Sequence, residues 1–149
     1  DYVKRMARQK GEAIRGDIAG GTTPYVLSAD TVVAVGRRVL PKAETRDQAQ
    51  KCLALLSGRA HRVYTSIYLM HGDVRRQKTV QSRVHFKRLS EADLAWYLAT
   101  SEWEGKAGGY GVQGQAAVFV KNLQGSYSNV VGLPLYETAN VLKGCGYSF

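Results

Sequence analysis

One stretch of the chain decides its fold: YVLSADTVVAV, at positions 25–35. It is a nearly continuous apolar run with a single charged residue near its centre. A run of this length and character is typical of a β-strand that is covered on both faces. We therefore predict a buried strand over 25–35.

Asp30 is the charged residue of that run, between Leu27 and Val32. An ionised carboxylate is costly in apolar surroundings unless it is paired, hydrogen-bonded or bound to a cation. Two interpretations are open. Asp30 can stand at a strand end and cap a turn, or it can hold a metal or act as a general base at a cleft.

Upstream of this run, residues 1–15 predict a helix, because apolar residues recur near one face. These residues are Val3, Met6, Ala7 and Ile14. Glycines and a proline between 16 and 24 then mark a loop.

Downstream, the clearest helix spans 45–57, where Thr45 and Gln48 form a capping box and Gly58 follows the last turn. The other predicted elements are a strand over 61–70, a hairpin turn at 71–73, a strand over 79–87, a helix capped by Ser90, a short strand over 116–121 and a last helix opened by Pro134. Interspersed strands and helices indicate the α/β or α+β class.

The composition is that of one globular domain of 149 residues with a net charge of +9. That charge favours anionic partners, but it does not choose between a nucleic acid, an anionic lipid surface and a small phosphorylated substrate. No window is apolar enough to predict a membrane span. Cys52 and Cys145 are interpreted as two reduced thiols.

The segment GKAGGYGVQG at 105–114 is denser in glycine than a turn requires. Glycine lets backbone N–H groups approach an anion, and here Lys106 could meet phosphate while Gln113 meets a base edge. Lys42 follows a Leu-Pro turn near the acid and could also bind phosphate. Alternatively, the glycine segment is only an irregular connection, and Lys42 is only a surface lysine. The residues alone thus favour a phosphorylated ligand and a metal, without naming a reaction.

Four segments of the chain resemble motifs of the Maf family of nucleoside triphosphate pyrophosphatases. They are SADTVV at 28–33, LSGRAHRVYT at 56–65, KAGGYGVQG at 106–114 and GSYSNVVGLP at 125–134. They are similar to the family's Ala-Asp-Thr strand, its Leu-Ser-Gly-Arg-x-His-x-Val-x-Thr segment, its Lys-Ala-Gly-x-Tyr-x-Ile-Gln-Gly loop and its Gly-Ser-Tyr-x-Asn-Val-Val-Gly-Leu-Pro run. The four stand in the family's order and span most of the chain.

The resemblance implies an elongated α/β fold with a mixed sheet, flanking helices and an active cleft between two lobes. It implies a cytoplasmic hydrolase that cuts dTTP or UTP between the α and β phosphates, using a divalent cation, usually Mg²⁺. Asp30 would match the acid that activates water or holds the metal. Thr31 and Gln113 would match positions linked to base preference. Lys10 and Lys42 would match phosphate-facing lysines, and Lys106 would add to their charge.

The chain departs from the family pattern in two places. The acid that precedes the lysine of the glycine loop is replaced by Gly105, so its role would pass to Glu102 or Glu104 or be absent. The family's opening strand and Ser-x-Ser-Pro-Arg-Arg phosphate loop have no counterpart here. We therefore expect residues 1–149 to form a single Maf-like domain that lacks this segment. We expect this domain to hydrolyse dTTP poorly or not at all, whereas a chain with the segment restored would be active.

Two other functions compete with the enzyme. One is a nucleotide-binding protein without catalysis, or a regulator of septum formation in cell division. The other is a nucleic-acid-binding module, which rests on the net charge alone and lacks the aromatic-studded strands that stacking needs. For partners we expect a nucleoside triphosphate, no nucleic acid and no membrane, and a homodimer stays open.

Overall fold

The computed structural model describes residues 1–15 and 23–149, so most of the loop predicted over 16–24 lies outside the described residues. The elements are helix α1 (Tyr2–Arg15), strands β1 (Tyr25–Val35) and β2 (Arg38–Leu40), helix α2 (Arg46–Leu56), strands β3 (Ala60–His71) and β4 (Val74–Phe86), helix α3 (Glu91–Leu98), a 3-10 helix (Gln115–Phe119), strand β5 (Val120–Gln124), and helices α4 (Tyr127–Val131) and α5 (Leu135–Gly144). Among the described residues, no helix is long and apolar enough to cross a membrane.

The sheet has five strands in the order β2-β1-β3-β4-β5. The α/β class with helices flanking a sheet is confirmed, but the expectation of a mixed sheet is wrong for the described strands, which all pair antiparallel. For β3 and β4 the cause is local. A two-residue turn, with Gly72 at φ +58°, joins them, and such a short connection can only reverse the chain.

The two faces of the sheet carry separate apolar clusters. The larger one, around Leu53, Phe86 and Tyr97, lies under α2 and α3. The smaller one joins Ala7 of α1 to Val26, Tyr68 and Met70. Because α1 covers that face, every residue of β1 is buried or half-buried and the middle of β3 is buried on both sides, in keeping with the apolar run at 25–35.

Helix α1 lies unusually close to the sheet at Gly11. A Cβ atom there would come within 2.8 Å of Ser28 Oγ and 2.9 Å of the Tyr68 ring, so a side chain cannot be fitted without a shift. One turn earlier, Ser28 Oγ donates a hydrogen bond to the Ala7 carbonyl at 2.5 Å. The helix is therefore pinned to β1 on either side of Lys10.

Several local predictions are confirmed. Thr45 with Gln48 and Ser90 with Asp93 form complete capping boxes, and Pro134 occupies the N-cap of α5. Cys52 and Cys145 are free thiols.

Three local predictions are wrong. The strand predicted over 116–121 begins instead as the 3-10 helix, because Ala116 and Phe119 are buried three residues apart while Val118 between them is 65% exposed. Helix α4 was missed. Ile14, assigned to the apolar face of α1, is 49% exposed in the helix's last turn.

Candidate active site

A cleft of about 220 Å³ opens between α1, β1 and the glycine-rich segment 105–114. It is lined by all six residues singled out in the sequence: Lys10, Asp30, Thr31, Lys42, Lys106 and Gln113. These six residues are far apart in the sequence, from Lys10 in α1 to Gln113 just before the 3-10 helix. The fold therefore brings the candidate residues together, while their individual roles stay predictions.

Asp30 lies in the middle of β1 and not at a strand end, so the interpretation as a turn cap is wrong. It is 7% exposed, and Lys10 Nζ lies 2.5 Å from its Oδ1 atom. The same ammonium group donates to the Ala29 carbonyl at 3.3 Å. Pairing with a cation makes a buried carboxylate tolerable, and Lys10 keeps 41% of its side chain exposed toward solvent.

Asp30 and Thr31 are consecutive in a strand and point to opposite faces of the sheet. Both nevertheless line the cleft. The reason lies in the short neighbouring strand, since β2 pairs with β1 from Val33 to Val35. The cleft lies just upstream of that pairing, where it can reach both faces. A second, more apolar hollow adjoins it there and shares Lys10, Asp30, Thr31 and Lys42.

Backbone pairing brings the two other lysines to the same wall. Lys42 and Ala107 form an isolated antiparallel bridge. On one side of it, Ala43 N donates to the Lys106 carbonyl at 3.1 Å, and on the other side Gly108 N donates to the Pro41 carbonyl at 3.1 Å. This short ladder brings Lys42 and Lys106 to neighbouring positions, although they are far apart in the sequence. Both side chains are exposed and line the cleft.

Two adjacent glycines of this segment serve packing. Gly108 and Gly109 have φ of +72° and +81°, and a Cβ atom on each would press on Val33 at 3.1 Å and Ala49 at 3.3 Å. Backbone carbonyls accept the N–H groups of Gly105, Gly108, Gly109 and Gly114. The interpretation that glycine amides receive an anion is therefore wrong for these four.

A buried pair of rings anchors the segment to the sheet. Tyr110 Oη and His61 Nε2 lie 2.5 Å apart, and Phe86 packs edge-on against both rings. Burial lowers the pKa of His61 to about 4 and raises the pKa of Tyr110. The pair is thus neutral at physiological pH and positions the loop. This pair was not predicted from the sequence. The available signal was that His61 lies two residues before Val63 on β3, so both side chains point to the same buried face.

A chain of hydrogen bonds runs inward from the cleft at Thr31. Thr31 Oγ lies 2.8 Å from Thr65 Oγ on the neighbouring strand, and Thr65 Oγ lies 3.1 Å from the Asn129 carbonyl. The Asn129 amide donates to the Val63 carbonyl at 3.1 Å and to Ser82 Oγ at 2.8 Å, which ties α4 to β3 and β4. Neither Thr65 nor Asn129 was predicted, although both stand in the motifs at 56–65 and 125–134.

The cleft is positively charged, with three lysines against the carboxylate of Asp30. Neither glutamate considered as a substitute acid lines it. Glu102 accepts a hydrogen bond from Gln115 N at 2.8 Å, and Glu104 is exposed. Within residues 1–15 and 23–149, no three His, Cys, Asp or Glu side chains are grouped to hold a metal ion. The arrangement suits a strongly anionic ligand.

Comparison with known proteins points to one family. The model of the family described as Maf-like protein matches residues 1–145, a range that includes every residue lining the cleft. A dTTP/UTP pyrophosphatase of Rhodopseudomonas palustris is 57% identical over 97% of this chain and 72% of its own length. Proteins of the same name from Mesorhizobium japonicum and Rhizobium meliloti are 54% identical with the same coverage.

Proposed function

The chain belongs to the Maf-like protein family, and on that premise we propose that it is a nucleoside triphosphate pyrophosphatase acting on dTTP and UTP. The observation that carries the proposal is the convergence of Lys10, Lys42 and Lys106 on one cleft with Asp30. The similar proteins named dTTP/UTP pyrophosphatase support the choice of substrate.

The reaction adds water to the α-phosphorus and breaks the bond from that phosphorus to the bridging oxygen of the β-phosphate. The products are the nucleoside monophosphate and pyrophosphate. Such a transfer needs little covalent help from the protein, but it needs charge neutralisation and a placed water. The lysines supply positive charge where the triphosphate lies, and the Asp30 carboxylate is the acceptor that can orient the water.

The donor set fits a magnesium ion that arrives with the nucleotide. Mg²⁺ usually keeps several waters and is held by one or two carboxylates together with substrate phosphates. Asp30 is a carboxylate of this kind, and phosphate oxygens would complete the set. When bound, the cation would polarise a phosphoryl oxygen and lower the pKa of a bound water.

Lys10 can contact both Asp30 and a bound triphosphate. Its ammonium group neutralises Asp30 in the structure, yet much of its side chain is accessible. A triphosphate with its cation would offer both members of this pair new partners of opposite charge. We therefore place Lys10 against phosphate oxygens and Asp30 against the cation and the attacking water.

The base would be read by Thr31 and Gln113, two uncharged polar side chains at the cleft. Gln113 is exposed and carries both a carbonyl acceptor and amide donors, so it can match the alternating edge of a pyrimidine.

The proposal is tested by incubating the chain with each common ribo- and deoxyribonucleoside triphosphate in the presence of Mg²⁺ and separating the products by ion-exchange chromatography. We expect dTTP and UTP to give equimolar monophosphate and pyrophosphate, slowly from residues 1–149 and faster from a chain that also carries the family's opening segment. Release of the diphosphate and inorganic phosphate would contradict the assigned bond. Tight nucleotide binding without any product would favour the non-catalytic binding protein instead.

A further inference from the structure

We propose that Thr65 sets the base selectivity of the cleft by fixing the direction in which the Thr31 hydroxyl points its hydrogen. The inference rests on the proposed function, because it concerns the nucleotide that the same cleft would bind. Thr65 does not line the cleft and is fully buried, so it would act through Thr31 as a positioning residue.

The direction of the hydrogens follows from the contacts of Thr65. Its hydroxyl lies 3.1 Å from the Asn129 carbonyl, an acceptor without a hydrogen. A threonine hydroxyl has one hydrogen, so Thr65 must donate it to this carbonyl. Thr65 then has only lone pairs left for Thr31, 2.8 Å away, and Thr31 must be the donor of that bond.

The reverse arrangement leaves a buried clash. If Thr65 donated to Thr31, its oxygen would face the Asn129 carbonyl oxygen at 3.1 Å with lone pairs on both sides. Two buried acceptors without a hydrogen between them are unfavourable. Only one assignment makes both contacts hydrogen bonds.

The Asn129 carbonyl cannot easily move away from Thr65. Gly132 N also donates to it at 3.0 Å, and the Asn129 side chain is held by Val63 and Ser82. Gly125 packs so closely on Ser82 that a Cβ atom there would lie 2.9 Å from Ser82 Oγ. Helix α4 and β3 therefore present the carbonyl to Thr65 in a fixed position.

With its hydrogen directed inward, Thr31 offers only an acceptor to the cleft. Uracil and thymine present an N3–H donor between two carbonyl oxygens, whereas cytosine presents a bare N3 and an amino group. Thr31 can accept from the N3–H of uracil or thymine while the Gln113 amide donates to a neighbouring base carbonyl. In that pose cytosine would set its N3 lone pair against a lone pair of the Thr31 hydroxyl.

The test compares the ratio of kcat/KM for dTTP over dCTP in wild type and in Thr65→Val. Valine has the shape of threonine without the hydroxyl, so the Thr31 hydrogen becomes free to point into the cleft and donate to cytosine N3. We expect the ratio to fall about tenfold, the effect of one mismatched hydrogen bond. Thr65→Ser, which keeps the hydroxyl, should hold the ratio near the wild-type value.

Thr138→Val is the matched control. Thr138 is also buried, at 5% exposure, and its hydroxyl also donates to a backbone carbonyl, that of Pro134 at 2.7 Å, but it lies outside the cleft. It should lower stability and leave the ratio unchanged. If the ratio in Thr65→Val stays at the wild-type value while dTTP is still hydrolysed, the inference is overturned and the pyrophosphatase function stands.

A neutron crystal structure of the deuterated wild type decides the same question and requires neither an activity assay nor a variant. We expect the Thr65 deuterium on the line to the Asn129 carbonyl and the Thr31 deuterium on the line to Thr65. A Thr65 deuterium on the line to Thr31 would overturn the inference, whether or not Thr65→Val folds. If the wild type hydrolyses no triphosphate even with the family's opening segment added, the proposed function fails, and the ratio is then read from the dissociation constants of dTTP and dCTP. Equal constants, or binding of neither, would overturn the inference as well.

Discussion

At the scale of single residues, the chemistry of this chain depends on how buried polar groups are satisfied. Asp30 is held by Lys10, and Thr31 is held by Thr65. Each of these contacts joins residues that are distant in sequence and would be costly to break inside the fold. Thr31 is thus fixed from behind by a residue outside the cleft, whereas Asp30 is held by a lysine that lines the same cleft.

His61 gives a prediction for stability against pH. Its pKa is about 4 in the folded chain against 6.5 for a free histidine, because burial disfavours the charged ring. Between these values the unfolded chain binds a proton that the folded chain does not. Stability should therefore fall by about 3 kcal/mol as the pH drops from 6.5 to 4, and this contribution should be constant above 6.5.

Urea unfolding followed by circular dichroism between pH 4 and 7 measures this slope. His61→Gln should remove it, whereas His85→Gln, at a half-buried position on β4, should retain it. A slope of the same size in His61→Gln would show that other groups cause it.

At the scale of elements, α1 carries Lys10 into the cleft only because Gly11 lets the helix approach β1 and β3. A Gly11→Ala substitution would normally stabilise a helix interior by up to about 1 kcal/mol. Here the new Cβ atom would meet Ser28 and Tyr68 at less than 3 Å, so we expect a loss of about 1–3 kcal/mol and a lower kcat/KM as Lys10 moves from Asp30.

Thermal unfolding and dTTP hydrolysis of the Gly11→Ala variant check this expectation. Gly144→Ala is the control, because a Cβ atom at the end of α5 meets nothing within 4 Å, and it should lose neither stability nor activity. A Gly11→Ala protein as stable and active as the control would contradict the role given to the close approach.

The sequence predicts the elements whose signals are local. The apolar run at 25–35, the capping boxes and the proline at the start of α5 all have local physical causes, and those elements agree with the structure. The strand predicted over 116–121 disagrees with the structure, which has a 3-10 helix at Gln115–Phe119. The packing of Phe119 on Phe86 and Tyr97 overrides the β-like composition of that segment.

The residues of the candidate site likewise fall into those that could be predicted from the sequence and those that could not. Asp30 and the lysines could be singled out because a charge in an apolar run and cations near glycines are visible in sequence. His61, Thr65 and Asn129 could not, because their importance comes from partners far along the chain. Strand parity and motif membership can indicate that such a side chain is buried, but they do not identify its hydrogen-bond partner.

At the scale of the whole molecule, the net charge of +9 favours encounter with anions. A field of this kind is screened over about 10 Å at 0.1 M salt. We predict that kcat/KM for dTTP falls several-fold as NaCl is raised from about 0.02 to 0.2 M, while kcat changes little, because encounter and binding are weakened before chemistry.

Initial rates over a range of dTTP and NaCl concentrations separate the two constants. Sucrose at matched osmolarity is the control and should leave kcat/KM unchanged. A kcat/KM that does not respond to salt would mean that the positive surface takes no part in substrate capture.

The central claim is that the buried Asp30 carboxylate drives hydrolysis of a triphosphate gathered by the cleft lysines. The most direct test is pyrophosphate release from dTTP by wild type, Asp30→Asn and Asp47→Asn, the last removing an exposed carboxylate that also pairs with a lysine, Lys51 at 3.1 Å. We predict that Asp47→Asn keeps the wild-type rate and that Asp30→Asn loses it by a factor of about 10² or more at unchanged folding. Equal rates for Asp30→Asn and wild type would contradict the account.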